Sequence, residues 1–179
     1  MRILLDACVL YPTVMREILL SIANHGLFVP LWSDRILDEW ARAVAKNLPD
    51  QAELARGEIA LVRAVWSDAV VPENTALEQR LFLPDKDDRH VFAAAINGCA
   101  DVLLTLNAKD FPTRVLAKEN IIRRDPDSLL HGFWQDHPGV VTEVCETVRD
   151  TAESLSGRSQ PLRALLKRAR LPKLGKALA

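Results

Sequence analysis

The stretch Leu83–Phe111, LPDKDDRHVFAAAINGCADVLLTLNAKDF, constrains the fold of this chain more than any other. It opens on an acidic cluster, runs through an Ala-rich apolar segment, breaks at Gly98, resumes as a short apolar run and closes on Thr105, Asn107 and Asp110. Val91, Phe92, Ala95 and Ile96 recur at helical spacing, and Gly98 suits a helix C-terminus. Val102–Leu104 is a continuous apolar run of the kind a parallel strand shows when both its faces are covered. The order is therefore loop, helix, strand, loop. It puts Asp88 at a helix start and Asn107 and Asp110 just past the carboxyl end of a strand, where open α/β sheets hold their ligands.

The rest of the chain repeats the alternation. Arg2–Leu5 reads as a strand that delivers Asp6 at its end, and Pro12 starts a helix with Val14, Ile18, Leu19 and Ile22 on one face, stopped by Asn24 to Gly26. Phe28–Trp32 reads as a second strand. Ser33 or Asp34 then caps a helix carrying Ile36, Leu37, Trp40, Ala41 and Val44 on one face. Glu39 lies at the edge of that stripe, where a carboxylate costs more than on open surface. A further helix is expected over Gln51–Asp68, with Leu54, Ile59, Leu61, Val62, Val65 and Trp66 as core candidates and no visible chemistry. A helix from about Pro112 to Lys118 and a small strand at Ile121–Ile122 follow the central stretch. Strands and helices alternating at these lengths predict a parallel sheet with helices on both faces.

At 179 residues, 49% of them hydrophobic, the chain suffices for one domain with an appendage. Its net charge of −1 offers no bulk argument for nucleic acid or membrane, so any such argument must be local. Cys8, Cys99 and Cys145 are odd in number and form no CxxC pair, which suggests reduced thiols and a cytoplasmic location. The N-terminal apolar run is short and interrupted by Asp6, and no stretch is long enough to span a bilayer. There is no GxGxxG, Walker A or HExxH pattern to suggest dinucleotide, NTPase or zinc-protease chemistry. Beyond Ser128 the character changes: Val140, Val141, Val144, Val148 and Leu155 form a helical stripe, and no acid follows Glu153. Arg158, Arg163, Lys167, Arg168, Arg170, Lys173 and Lys176 fall in this last part, interleaved with leucines until Pro172 breaks the pattern. A helical, partly basic extension is expected, with Arg163 to Lys176 suited to RNA phosphates or to an acidic protein segment.

A parallel sheet brings strand ends and helix starts together, so Asp6, Asp88 and the Asn107/Asp110 loop can converge although distant in sequence. Carboxylates gathered this closely raise one another's pKa unless a cation neutralises them. Oxygen-only ligands suit Mg²⁺ or Mn²⁺, which would activate a water and stabilise a pentavalent phosphate. Blander readings stand beside this one. Asp88 could be a helix cap, Asp85, Asp87 and Asp88 a solvated loop, and Asp110 a helix-start residue. His90 reads as a helix-surface or structural residue, or as an RNA contact. A nucleophilic Cys8/His90 pair is disfavoured because Cys8 lies in an apolar run.

RILLDACVLYP, WSDRILDEW, DDRHVFAAAI and LLTLNAKDF, in that order over about Met1 to Leu130, resemble the signature of PIN-domain proteins. More narrowly they resemble VapC-like ribonuclease toxins of type II toxin–antitoxin pairs, in the branch with a helical C-terminal extension. The resemblance implies a flavodoxin-like three-layer α/β/α fold over residues 1–130, an extension over 131–179, and a Mg²⁺- or Mn²⁺-dependent endoribonuclease activity. It assigns metal binding and catalysis to Asp6, Glu39, Asp88 and Asp110, with Thr105 and Asn107 supporting them; Arg89, His90 and Lys109, beside these acids in sequence, are candidates for RNA contact. A cognate antitoxin is the implied protein partner, and a homodimer is a further candidate. The alternative is a PIN-like module that binds RNA or protein without cleaving. Two positions depart from the common pattern: Cys8 stands where many members have Asn, and Asn107 where many have Asp, which removes one charge from the site.

Overall fold

The computed structural model describes residues 1–179. Four short strands, β1 (Arg2–Leu5), β2 (Val29–Leu31), β3 (Val102–Leu104) and β4 (Ile122–Arg124), form one sheet in the order β2-β1-β3-β4. β1 runs parallel to both its neighbours, with Leu4 opposite Leu31 on one side and Leu103 on the other. Such short strands hold because Ile3, Leu4, Leu5, Leu103 and Leu104 are completely buried, each worth about 1.5–3 kcal/mol relative to exposure. Trp32 lengthens the β2 edge by a parallel bridge to Val70. This strand order is that of flavodoxin-like sheets, whose ligands sit where the winding reverses between β1 and β3. The backbone N–H of Asp6 donates to the Leu104 carbonyl at 3.1 Å, tying those two carboxyl ends together. The architecture is the expected α/β/α one with a central parallel sheet and added C-terminal helices.

In chain order the helices are α1 (Ala7–Leu10), α2 (Thr13–Asn24), α3 (Asp34–Asn47), α4 (Ala52–Val65), α5 (Thr75–Arg80), α6 (Arg89–Asn97), α7 (Thr113–Leu116), α8 (Pro126–Asp136), α9 (Pro138–Ser156), α10 (Leu162–Arg168) and α11 (Pro172–Ala177). None is long and apolar enough to cross a membrane. They fall into two compact units, Met1–Tyr11 with Val29–Arg123, and Pro12–Phe28 with Arg124–Ala179.

In the first unit Ser33 is the residue that caps α3, its Oγ accepting from Ile36 N–H at 3.3 Å. α4 corrects an expectation. Ala55, Ile59 and Val62 are buried, while Leu54, Leu61 and Val65 are exposed. Apolar residues occur all round this helix, so periodicity alone could not say which stripe faces inward. Gly98 ends α6 as expected, but with an ordinary negative φ of −82°. Space, not backbone freedom, requires it: a Cβ there would lie 2.8 Å from Val71 Cγ2 and 3.1 Å from Leu31 Cδ1.

In the second unit α2 and α8 pack on α9, and Phe28 stacks on Phe133 with ring centroids 5.8 Å apart. Val141, Val144 and Val148 are buried as expected, but Leu155 at the end of α9 is 85% exposed. The helical run does break ahead of Pro172, α10 ending at Arg168, but the chain turns helical again: Pro172 occupies the first turn of α11, where its missing N–H costs nothing. The buried carboxylate of Asp127 accepts from the backbone N–H of Lys173 (2.9 and 3.1 Å) and of Leu174 (3.0 Å), clasping that helix start.

Candidate metal centre

β1 and β3 end side by side, so the residues that follow them must meet. Asp6 leaves β1 buried, and Thr105 leaves β3 buried beside it. Thr105 Oγ1 donates to Asp6 Oδ2 at 2.6 Å and accepts the Asn107 N–H at 2.9 Å, so one hydroxyl sets both the carboxylate and the start of the next loop. Cys8, in the first turn of α1, adds to this. Its Sγ donates to the same Asp6 oxygen at 3.1 Å and accepts the Leu106 N–H at 3.2 Å. Burial, reinforced by the Asp6 charge, pushes the Cys8 thiol up to about 12. A thiol this reluctant to ionise is an orienting group and not a nucleophile.

Asp88 immediately precedes α6, yet its side chain makes no capping hydrogen bond. Its Oδ2 instead accepts from Asn107 Nδ2 at 3.1 Å. Carboxylate oxygens of Asp85, Asp88 and Asp110 lie within 4.8 Å of one another. Burial, and then the charges of Asp6, Asp85, Asp110 and Glu39, push Asp88 up to about 6. Asp110 is not a helix-start residue, since α7 begins only at Thr113. Its side chain is 13% exposed, with Lys109 Nζ at 3.7 Å. Arg123 Nη1 fixes the segment by donating to the carbonyls of Ala108 and Phe111, at 2.6 and 2.8 Å, on either side of Asp110.

Glu39 sits in the second turn of α3 with its Oε1 2.7 Å from His90 Nε2 and 3.9 Å from Arg42 Nη2. The approach to His90 is off the N–H axis, and neither ring nitrogen has a well-directed hydrogen bond. It is a close polar contact that limits where Glu39 can swing. His90 is thus not on the helix surface: it is 6% exposed and abuts Glu39. Arg89 is partly exposed and Lys109 exposed.

The donor set fits a hard divalent cation. It consists of oxygens alone, and 4.8 Å is close to the roughly 4.2 Å that opposite ligands of Mg²⁺ span. The upward push on Asp88 comes first from burial and then from the neighbouring acids, and a bound cation would offset both. Asp6 and Glu39 stand outside the tight triad of Asp85, Asp88 and Asp110, although their charges act on Asp88.

Compared with known proteins, residues 2–109 match the family model described as PIN domain, well over half of the chain. The chain belongs to the PIN domain family. No curated protein and no solved structure matches it. PIN domains are generally metal-dependent nucleases, so the function is of nuclease type. The match stops one residue short of Asp110, which enters the site of this PIN domain on geometry alone. Sequence reasoning passed over Asp85 as part of a solvated loop. The signal that could have found it is the Asp85-Lys86-Asp87 spacing: Asp85 Oδ1 accepts the Asp87 N–H at 2.9 Å, a turn that folds the loop back toward Asp88.

Proposed function

We propose that this PIN domain is a Mg²⁺- or Mn²⁺-dependent endoribonuclease, the toxin half of a VapC-like toxin–antitoxin pair. In this reading residues 1–130 are the nuclease portion and 131–179 a helical, partly basic extension, and the chain acts in the cytoplasm beside its antitoxin. The observation that carries it is the gathering of Asp85, Asp88 and Asp110, with Asp6 and Glu39 close enough to raise the pKa of Asp88, at the ends of β1 and β3.

Asp88 and Asp110, joined by Asp85, would hold the ion, with Asp6 and Glu39 completing the negative field around it. When bound, the ion supplies Lewis acidity toward a water and a phosphate oxygen. The chain's own residues do the orienting. Thr105 and Cys8 both donate to Oδ2 of Asp6, which leaves Oδ1 free. Asn107 engages Oδ2 of Asp88 in the same way. His90 limits the swing of Glu39. Asp6 and Asp88 thus each have one oxygen fixed and one available, which keeps the ordering cost low when a ligand arrives.

Purified protein incubated with RNA should cleave it internally with Mg²⁺ or Mn²⁺ and not with EDTA. Cleavage that persists in EDTA would overturn the metal assignment. Growth arrest on expression, relieved by co-expressing the product of an adjacent small reading frame, tests the toxin role.

A further inference from the structure

The last 26 residues carry seven cations and no acidic side chain, whereas residues 1–153 hold sixteen Lys and Arg against twenty-four Asp and Glu. Charge in this chain is segregated, and the fold keeps it so. Leu165, Leu166, Leu171 and Leu174 are all buried, which turns one side of the α10–α11 hairpin inward. Gly175 lets the two helices close up, since a Cβ there would sit 3.2 Å from Leu166 Cβ. Asp127 engages the backbone of α11 with both oxygens and so offers its carboxylate to no side chain. Arg163 and Lys167 are exposed one turn apart on α10, Arg170 is exposed in the turn that follows it with a positive φ of 61°, and Lys176 is exposed on α11. None of the four is in an ion pair, and Arg168 meets only the neutral Gln160 at 2.6 Å.

We propose that the α10–α11 hairpin is a phosphate-binding surface that anchors single-stranded RNA through Arg163, Lys167, Arg170 and Lys176. The inference rests on the ribonuclease reading for the identity of its polyanion. Protein partners are recognised through apolar anchors that leave water on binding. This hairpin offers little of that kind, because Leu165, Leu166, Leu171 and Leu174 are buried and only Leu162 and Leu178 are part-exposed among its cations. Phosphate recognition needs only exposed, unpaired cations, since neutralising phosphates releases the counter-ions condensed on the nucleic acid. An acidic nuclease body repels RNA, so a separate cationic surface on the same chain offsets that repulsion.

The test uses the full-length chain carrying Asp88→Asn, in EDTA, so that binding is read without turnover. Binding of a labelled single-stranded RNA of about 20 nucleotides is followed by anisotropy from roughly 50 to 200 mM salt. The triple variant Arg163→Gln, Lys167→Gln, Arg170→Gln should flatten the slope of log K against log salt by roughly 2, at about 0.7 for each phosphate no longer neutralised. The charge-preserving Arg163→Lys, Arg170→Lys variant should keep the slope. If the triple variant does not fold, each single Gln variant should lower the slope by about 0.7. An unchanged slope overturns the inference, as does tighter binding of a Glu-rich peptide than of the RNA at equal salt. The two readings separate cleanly: a chain that binds RNA through the hairpin but never cleaves refutes only the nuclease assignment. One that cleaves with an unaltered slope refutes only the anchor.

Discussion

Asp88→Asn probes the site without needing its activity. Asp88 is pushed up from 3.8 to about 6, so in the folded chain it holds a proton more tightly than in the unfolded one. Stability from this group is therefore fully present below pH 3.8 and is lost as pH rises through about 6. A shift of roughly two pH units corresponds to about 3 kcal/mol if fully realised. Asp88 is only half-buried, and solvent screening reduces this to about 1–2 kcal/mol. Asparagine is uncharged at every pH and keeps a carbonyl oxygen for Asn107 Nδ2. In EDTA at pH 7.5 the variant should thus be the more stable by that amount, a melting increase of about 2–4 °C per kcal/mol for a chain of this size. The gap should close as pH falls toward 4. Added Mn²⁺ should reverse the order, because only the wild type gains binding free energy. Thermal denaturation at pH 4.5 and 7.5, with EDTA and with Mn²⁺, reads all of this. A variant no more stable than wild type at pH 7.5 in EDTA would refute the claim that burial and the neighbouring acids disfavour the charged form of Asp88. Cleavage at the wild-type rate would refute the site assignment.

Other expectations follow from the same contacts. Asp110→Asn should weaken Mn²⁺ binding nearly as much as Asp88→Asn does, while Asn107→Asp should tighten it and lower stability in EDTA; calorimetric titration reads both, and full affinity in Asp110→Asn would remove Asp110 from the triad and leave Asp85 and Asp88 of it. Thr105→Val removes the hydroxyl that serves Asp6 and the Asn107 N–H, and should cost about 1–3 kcal/mol in chemical denaturation. Gly98→Ala meets Val71 Cγ2 and should cost about 1–3 kcal/mol despite alanine's better helix propensity, whereas a stabilised variant would show that the contact yields easily.

What could be read from the sequence follows from how each residue signals its place. Asp6 stands out because an acid that ends an apolar strand has few other reasons to be there, and Asp88 because it opens an apolar helix. Asp85 does not stand out, since an exposed acid among acids looks the same whether or not its turn aims it at a neighbour. Cys8 was legible as inert but not as a donor to Asp6, because that role depends on how closely β1 and β3 end. The buried face of α4 was illegible for another reason: its apolar residues lie on every side, and only tertiary contact selects Ile59 and Val62 over Leu61 and Val65. The helices α1 and α5, of four and six residues, are too short to leave a periodic signal.

The two units are built from interleaved segments, and a ribosome must deliver them in order. α2 emerges early with Met15, Ile18, Leu19 and Ile22 on its buried face, but its packing partner α9 begins only at Pro138. At ordinary elongation rates that interval lasts on the order of 5–20 s. Asp6, Glu39, Asp88, Thr105 and Asp110 all belong to the other unit, whose last segment ends at Arg123. The acidic cluster is therefore synthesised in full before the helices that cover α2, and the nascent chain carries all its candidate ligands while one helix still waits, apolar side uncovered, for its partner.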